Sequence, residues 1–274
     1  MTSRLALLGP ALAVALTACG GSPAASGTLP AESSTTQSVT LTIYAAASLN
    51  TAMSRVASAY PEAGPSVTLV ISTDSSAALE TKIEQGAPAD VFLSADTANP
   101  QKLVAAGLTV GTRVTPFAGN LLTVIVPADN PAHLASPADL ARKGVKVIAA
   151  GDAVPISTYA ARLVANLASL PGYPPGFAAG YAANVVSKED NVAAVVAKIA
   201  LGEGDAAIVY RTDAMASSAV RPIPVPADAN IPATYGGVVL RSSAETAAAS
   251  AFLGWLAGPD GRAILAGLGF LAPS

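Results

Sequence analysis

The chain has 274 residues, of which 51% are hydrophobic and only 12% are charged, with a net charge of −3. This composition supports a substantial core and leaves room for two compact domains, and it excludes the basic surface that nucleic-acid binding needs. The single cysteine, Cys19, and the single histidine, His133, exclude a disulfide framework and a zinc cluster of the usual kind. We therefore expect no nucleic-acid partner and no metal bound directly by protein side chains.

The first 19 residues are typical of a secretory signal peptide. Arg4 supplies the positive start, and the apolar stretch Leu5–Leu16 is too short for a membrane span. The segment Leu16–Cys19 (Leu-Thr-Ala-Cys) resembles the bacterial lipobox, whose cysteine is lipidated after cleavage. The alternative is a plain signal peptide with an incidental cysteine. Residues 20–38 are rich in Gly, Ser, Ala, Thr and Pro, which predicts a flexible tether.

From Val39 onward, short β-rich runs alternate with Ala-rich helical patterns, which predicts an α/β fold on mostly parallel sheets. The predicted strands are Val39–Tyr44, Ser66–Ser72, Val91–Ser94, Asn120–Pro127, Val145–Ala149, Ala206–Tyr210 and Gly237–Leu240. The predicted helices are Leu49–Tyr60, Ser76–Gln85, Pro100–Ala106, Thr158–Leu167, Val192–Leu201, Ala244–Leu256 and Gly261–Leu268.

Four predicted strand-to-helix turns share one chemistry, because each places small, hydroxyl or amide residues directly before a helix. They are Ala45–Ser48, Ser75-Ser76, Val154–Ser157 and Glu189–Asn191. The first turn of a helix has unpaired N–H groups and a partial positive charge, so each turn is a candidate anion site. For any single such turn, an ordinary N-cap is the favoured explanation. Four that meet at the carboxyl ends of strands would form a cage.

Several segments resemble the molybdate-binding proteins of bacterial ABC transporters, and together they cover nearly all of residues 39–274. They are Tyr44–Leu49 (YAAASL), Ser75-Ser76, Gly86–Asp96 (GAPADVFLSAD), Val154-Pro155 before Tyr159, Glu189–Asn191, Ile208–Ala214, Gly258-Pro259 and Gly269-Phe270. The resemblance implies a periplasmic-binding-protein fold of type II, with two α/β lobes around a ligand cleft. Lobe 1 would comprise residues 39–118 plus 236–274, and lobe 2 residues 119–235. The hinge would lie near 116–120 and 233–237.

The resemblance also implies which residues hold the ligand, molybdate or tungstate. The hydroxyl and backbone N–H of Ser48 and Ser76, the amides of Ile156 and Asn191, and the Tyr210 hydroxyl would contact its oxygens, with no direct metal ligand and no cofactor. The helix starts point to the first four residues independently, whereas Tyr210 follows from the resemblance alone. We expect a monomeric, extracytoplasmic binding protein that is held to the membrane by a lipid anchor only, serves an ABC permease, and is not an enzyme.

Two charged residues lie close to these positions. Asp74 stands where the family usually has a small or neutral residue, and a carboxylate inside the cleft would repel a dianion. We expect Asp74 instead to cap the following helix or to face solvent. We expect Arg211, beside Tyr210, to be a surface charge, because neighbouring residues on a strand face opposite sides.

Two alternatives remain. In a secreted serine hydrolase, Ser48 or Ser76 would be the nucleophile, but Gly-x-Ser-x-Gly and Ser-x-x-Lys are absent and His133 falls in a predicted loop. The glycine-rich segment 202–207 imitates a dinucleotide fingerprint, but it joins a helix to a strand, the reverse of what the fingerprint requires. The second alternative is the same fold with sulfate, phosphate or a small organic acid as ligand. The aromatic candidates for an organic ligand are Tyr159, Tyr173, Tyr181 and Trp255, which otherwise belong to the core or the surface.

Overall fold

The computed structural model describes residues 39–63 and 67–273. The predicted signal peptide at 1–19, its Cys19, and the predicted tether at 20–38 lie outside the described residues. Within the described ranges, none of the helices combines the length and the apolar character that crossing a membrane demands.

Strands and helices alternate along the described chain. The strands are β1 (Val39–Ala46), β2 (Val67–Asp74), β3 (Val91–Ser94), β4 (Thr115–Asn120), β5 (Leu122–Pro127), β6 (Val147–Ala150), β7 (Val185–Glu189), β8 (Ala206–Tyr210), β9 (Val220–Ile223) and β10 (Ala233–Val239). The α-helices are α1 (Asn50–Ala63), α2 (Ser76–Glu84), α3 (Ala98–Ala105), α4 (Pro155–Ala168), α5 (Phe177–Asn184), α6 (Val192–Ala200), α7 (Arg211–Met215), α8 (Thr246–Leu256) and α9 (Pro259–Gly267). Short 3₁₀ helices occur at Ala47–Leu49 and Pro137–Ala141.

The strands form two sheets with the same internal arrangement. The first sheet has the order β2-β1-β3-β10-β4 and the second the order β7-β6-β8-β5-β9. In each sheet the first three strands pair in parallel, and one antiparallel strand, β10 or β5, separates them from the last. Four of the five strands in each sheet therefore run the same way, and the predicted fold class of two mostly parallel α/β lobes is confirmed. We call the first sheet with its helices lobe 1 and the second lobe 2.

The chain crosses between the sheets twice. The first crossing is at Leu121, the single residue between β4 and β5, and the second is the segment 224–232 between β9 and β10. Asn230 joins the two crossings, since its side chain accepts from the Leu122 N–H at 3.0 Å and donates to the Leu122 carbonyl at 2.8 Å. That the lobes move about these crossings, with boundaries at 118 and 235, remains a prediction.

The central strands are buried on both faces. Every residue of β3, β5 and β8 is buried, because helices cover both sides of each sheet. These strands read in the sequence as continuous apolar runs, and the predicted bounds of β3 and β8 agree with the structure. The main core runs through both lobes, and a second cluster with Leu79 and Phe92 lies beneath α2 and α3.

The sequence analysis missed several elements, which have in common short length, exposed edges or Pro and Gly. They are β4, β7, β9, α5 and α7. Pro222 lies in β9, an edge strand, where a missing N–H is tolerated. Alternate residues of β7 are exposed because it too is an edge strand. Helix α7 follows β8 with no loop between them, so the pattern has no visible boundary.

Candidate functional site

A small cavity lies between the two lobes, at the carboxyl ends of their strands. Its lining comprises Ala46, Ala47, Ser48, Ser75, Ser76, Ala95, Val154, Pro155, Ile156, Val192 and Tyr210. All of these lining residues are uncharged, so hydroxyl and backbone groups supply the polar character. The cavity measures about 10 Å³, close to the least space that one water molecule needs. Since a tetrahedral oxyanion is larger than one water, its entry requires the lining residues to move apart.

The four predicted helix starts all contribute to this cavity. The 3₁₀ turn Ala47–Leu49 leads into α1, α2 begins at Ser76, α4 at Pro155 and α6 at Val192. Helix α4 starts three residues before its predicted start, because proline is favoured in the first turn, where its missing N–H costs nothing. The convergence brings the positive ends of several helices to one point between the lobes.

The two serines are fixed in different ways. The Ser76 hydroxyl accepts the backbone N–H of Ala95 at 3.0 Å, which leaves its proton for another acceptor. The Ser48 hydroxyl is 2.9 Å from the Tyr235 hydroxyl, and both side chains are buried. Sequence reasoning identified neither Ala95 nor Tyr235, because a residue that supports the site from another strand carries no local signal.

Tyr210 supplies a buried hydroxyl with no hydrogen-bond partner in the described residues. Tyr210 is the last residue of β8 and is 1% exposed. Its ring packs against the ring of Tyr235, with the two centroids 5.6 Å apart. Burial raises the pKa of Tyr210 well above its ordinary value, and the nearby Tyr235, Tyr159, Asp213 and Asp96 act in the same direction. The phenol therefore stays protonated at neutral pH and remains a donor. An unpaired buried hydroxyl is costly, so it indicates a missing acceptor in the cavity.

Ile156 and Asn191 are placed differently. Ile156 is the second residue of α4 and lines the cavity, with its N–H in the unpaired first turn. Asn191 is the N-cap of α6, where its Oδ1 accepts from the Ala194 N–H at 3.0 Å. Asn191 is not among the lining residues, whereas the next residue, Val192, is. The structure thus brings Ser48, Ser76, Ile156 and Tyr210 together and leaves Asn191 just outside.

Asp74 lies outside the cavity lining and is held by other groups. Its carboxylate accepts from the Ser75 N–H at 2.8 Å, forms an ion pair with Lys82 at 2.9 Å and meets the Asn191 amide at 3.4 Å. Desolvation opposes ionisation, but Lys82 and the Ser75 N–H lower the pKa of Asp74 below its ordinary value. The cap of α2 is Ser75, whose hydroxyl accepts from the Ala78 N–H. Of the two roles expected for Asp74, the helix cap is wrong because Ser75 occupies that position. The Asp74 side chain is partly exposed, as the second role predicted, and its carboxylate also reaches Asn191 of lobe 2.

Arg211 is not the surface charge that strand alternation predicted. The residue is half-buried, and its Nη2 donates to the Gly269 carbonyl at 2.9 Å. The reason is that β8 ends at Tyr210 and α7 begins at Arg211, so the alternation of a strand no longer applies there.

The features of a hydrolase are missing from this site. The Ser48 hydroxyl is hydrogen-bonded to the Tyr235 phenol, and the Ser76 hydroxyl to the backbone N–H of Ala95. Neither serine is therefore paired with a base that could activate it. His133 is exposed in the turn after β5, in the left-handed region with φ 51°. Segment 202–205 joins α6 to β8, which confirms that it is no dinucleotide fingerprint. Among the described residues, no group of three or more His, Cys, Asp or Glu could hold a metal ion.

The aromatic candidates for an organic ligand pack elsewhere. Tyr173 packs on Phe177 and Trp255 on Tyr60, while Tyr181 lines a separate cavity in lobe 2. Tyr159 packs against Tyr210 with centroids 6.3 Å apart and lies outside the cavity lining.

Comparison with known proteins agrees with this architecture. Residues 41–271 match the model of the bacterial extracellular solute-binding protein family. The chain belongs to that family. A family relative, the molybdate-binding protein ModA of Mycobacterium tuberculosis, is 33% identical over 269 residues, which are 97% of each chain. The resemblance inferred from the sequence motifs is thus confirmed.

Two solved structures share the family fold. The periplasmic molybdate-binding protein of Azotobacter vinelandii aligns with a TM-score of 0.71 at 24% identity, over 85% of this chain and 100% of that one. The sulfate-binding protein SubI of Mycobacterium tuberculosis aligns with a TM-score of 0.73 at 23% identity, over 85% of this chain and 86% of that one. Because binders of different oxyanions share this fold, the ligand must be argued from the site itself.

Proposed function

We propose that this protein is the extracytoplasmic substrate-binding component of an ABC importer and that it binds molybdate or tungstate between its lobes. The observation that carries the proposal is a cavity lined only by uncharged residues, into which four helix starts and the unpaired Tyr210 hydroxyl converge. The ModA relative supports the choice of ligand.

The chemistry of the ligand fits neutral donors. Molybdate is a fully deprotonated dianion at neutral pH, so all its oxygens accept and none donates. The proposed donors are the hydroxyls and N–H groups of Ser48 and Ser76, the amide of Ile156 and the Tyr210 phenol. The amide of Asn191, just outside the cavity lining, would join them when the lining residues move apart for the ligand. Hydrogen bonds to a charged partner contribute roughly 1.5–3 kcal/mol each. About seven of them exceed the several kcal/mol that association and desolvation cost.

Selectivity has two sources in this proposal. Hydrogen phosphate carries a proton that needs an acceptor, and a cavity that only donates leaves that proton unpaired. Sulfate has no such proton but has shorter bonds to its central atom, so it would leave the contacts stretched. Tungstate, nearly the same size as molybdate, is accepted.

Entry and delivery require movement of the lobes. A larger cavity of about 730 Å³ shares Ala47 and Ser48 with the small one and is lined by α1, α6 and α7. We propose that the oxyanion enters through this space and that the lobes then close on it to present a surface to the permease. The protein acts as a monomer without catalysis or cofactor, and Cys19 carries a lipid that holds it at the outer face of the membrane.

The test is a thermal-shift panel on the mature protein with molybdate, tungstate, sulfate, phosphate and chromate, followed by titration calorimetry. We expect molybdate and tungstate to raise the melting temperature with submicromolar affinity, and sulfate and phosphate to have little effect. Stabilisation by sulfate or phosphate alone would overturn the assignment of the ligand. Absence of stabilisation by every oxyanion would overturn the proposed site.

A further inference from the structure

A chain of buried polar side chains connects the first crossing between the lobes with Ser48. Asn120 is the last residue of β4 and Tyr235 lies in the neighbouring strand β10, and both are 0% exposed. The Asn120 Nδ2 is 2.8 Å from the Thr212 hydroxyl and 3.3 Å from the Tyr235 hydroxyl. The Tyr235 hydroxyl is in turn 2.9 Å from Ser48 Oγ.

The direction of these hydrogen bonds follows from the contact between Asn120 and the backbone of Leu121. The backbone N–H of Leu121 can only donate, and it lies 2.9 Å from Asn120 Oδ1, so that atom is the carbonyl oxygen. The Asn120 Nδ2 is therefore the donor to both Thr212 and Tyr235. Of the two partners of the Tyr235 hydroxyl among the described residues, only Ser48 Oγ can accept its proton. Tyr235 thus donates to Ser48.

The hydrogen bond from Tyr235 determines where the Ser48 hydroxyl can direct its own proton. Because Ser48 Oγ accepts from Tyr235, its own proton is left for an acceptor on another side, and Ser48 lines the small cavity. Burial raises the pKa of Tyr235 well above its ordinary value, so the phenol keeps its proton at neutral pH. A serine without such a partner could rotate and either donate or accept.

We propose that Tyr235 is a positioning residue that holds Ser48 as a donor toward the oxyanion, and that it thereby sharpens selection against ligands that carry a proton. This inference rests on the proposed function, because it needs a ligand that only accepts. The arrangement spans the molecule: Asn120 adjoins the crossing, Thr212 belongs to α7 of lobe 2, and Ser48 follows β1 of lobe 1.

The experiment is a double-mutant cycle of Tyr235→Phe with Ser48→Ala, read by calorimetric titration with molybdate. Tyr235→Phe keeps the ring and removes the hydroxyl. We expect it to weaken molybdate binding by about three- to tenfold in the wild-type background and to have no effect once Ser48 is alanine. We also expect the preference for molybdate over hydrogen phosphate to fall in Tyr235→Phe. Tyr60→Phe, another buried tyrosine that packs on Phe252 and Trp255, is the matched control and should change neither quantity.

A second variant tests the direction directly and covers the case in which Tyr235→Phe does not fold. Asn120→Asp has nearly the same shape, but it replaces the donor Nδ2 by an acceptor oxygen. Tyr235 then donates to Asp and accepts from Ser48, so the Ser48 proton turns away from the cavity. We expect weaker molybdate binding, and a smaller loss when Ser48 is alanine, with the remainder due to the added charge.

The outcomes separate the inference from the proposed function. Wild-type protein that binds neither molybdate nor tungstate overturns both. Wild-type binding with unchanged affinity in Tyr235→Phe, or an equal loss in the presence and absence of the Ser48 hydroxyl, overturns the inference alone.

Discussion

Arg211 of lobe 2 donates from its guanidinium to the carbonyl oxygen of Gly269, in the C-terminal segment that packs on lobe 1, at 2.9 Å. Gly269 is suited to this contact because its φ is +91°, and a Cβ there would lie 2.6 Å from the sulfur of Met215. The contact joins the lobes beside the first crossing, because the Arg211 N–H also donates to the Leu121 carbonyl at 2.8 Å. It stabilises the arrangement in which the lobes are close together.

Removal of this contact should weaken ligand binding. We expect Arg211→Ala to lower molybdate affinity by roughly three- to tenfold, because a charge-assisted hydrogen bond to a half-buried group is lost. Calorimetry measures the affinity, and small-angle scattering of the free protein should show a larger radius of gyration. Arg221→Ala, at an exposed position of β9, is the control and should leave both unchanged. Equal behaviour of the two variants would mean that the contact does not stabilise the closed arrangement.

Ser76 should contribute to both affinity and stability. We expect Ser76→Ala to weaken molybdate binding by about tenfold or more because the cavity loses a donor. It should also lower the free energy of unfolding by about 1 kcal/mol, because the Ala95 N–H loses its acceptor. Titration calorimetry and urea unfolding measure the two effects. Ser58→Ala, at an exposed position of α1, should change neither, and wild-type affinity in Ser76→Ala would remove Ser76 from the site.

Asp213 should make stability depend on pH. Desolvation raises the pKa of its carboxyl from 3.8 to about 8, although the Tyr210 N–H donates to it and lowers the pKa. The folded state therefore holds a proton that the unfolded state has released, and stability falls as the pH rises between these two values. Because the whole residue retains some exposure, solvent screening makes this loss of stability smaller than so large a pKa shift would give by itself.

The measurement is urea unfolding of wild type and Asp213→Asn at about pH 5, 7 and 9. We expect the variant to gain stability relative to wild type as the pH rises toward 8, with no further change above it. Asp228→Asn, at an exposed position, serves as the control and should show a constant difference. A constant difference for Asp213→Asn as well would show that the carboxyl is ionised throughout.

Cys19 determines where the protein resides if the lipobox interpretation is correct. We expect Cys19→Ala to release the protein from the membrane fraction of expressing cells, because the acyl chains that would anchor it are no longer attached. Fractionation followed by immunoblotting measures this. Ser22→Ala, in the adjoining predicted tether, is the control and should remain with the membranes. Continued membrane association of Cys19→Ala would contradict the lipoprotein interpretation.

Much of the fold could be predicted where local pattern and tertiary environment agree. The strands at Val91–Ser94 and Ala206–Tyr210 are central, so both faces are buried and their sequences are continuously apolar. The edge strand at Val220–Ile223 escaped prediction because it contains Pro222 and is half exposed. The helix starts at Ser76 and Val192 were visible because capping residues act within one turn of the helix.

The sequence by itself determined the family, the alternation of strands and helices, and the small and hydroxyl residues at the helix starts, since these depend on chain neighbours. Only the tertiary structure decided which of them meet. It brought Tyr235 to Ser48 across 187 residues of chain, set Arg211 against Gly269, and left Asn191 beside the cavity with its side chain on Asp74. The physical reason is that hydrogen bonds between distant strands and between lobes depend on how the sheets pack, which no local pattern encodes.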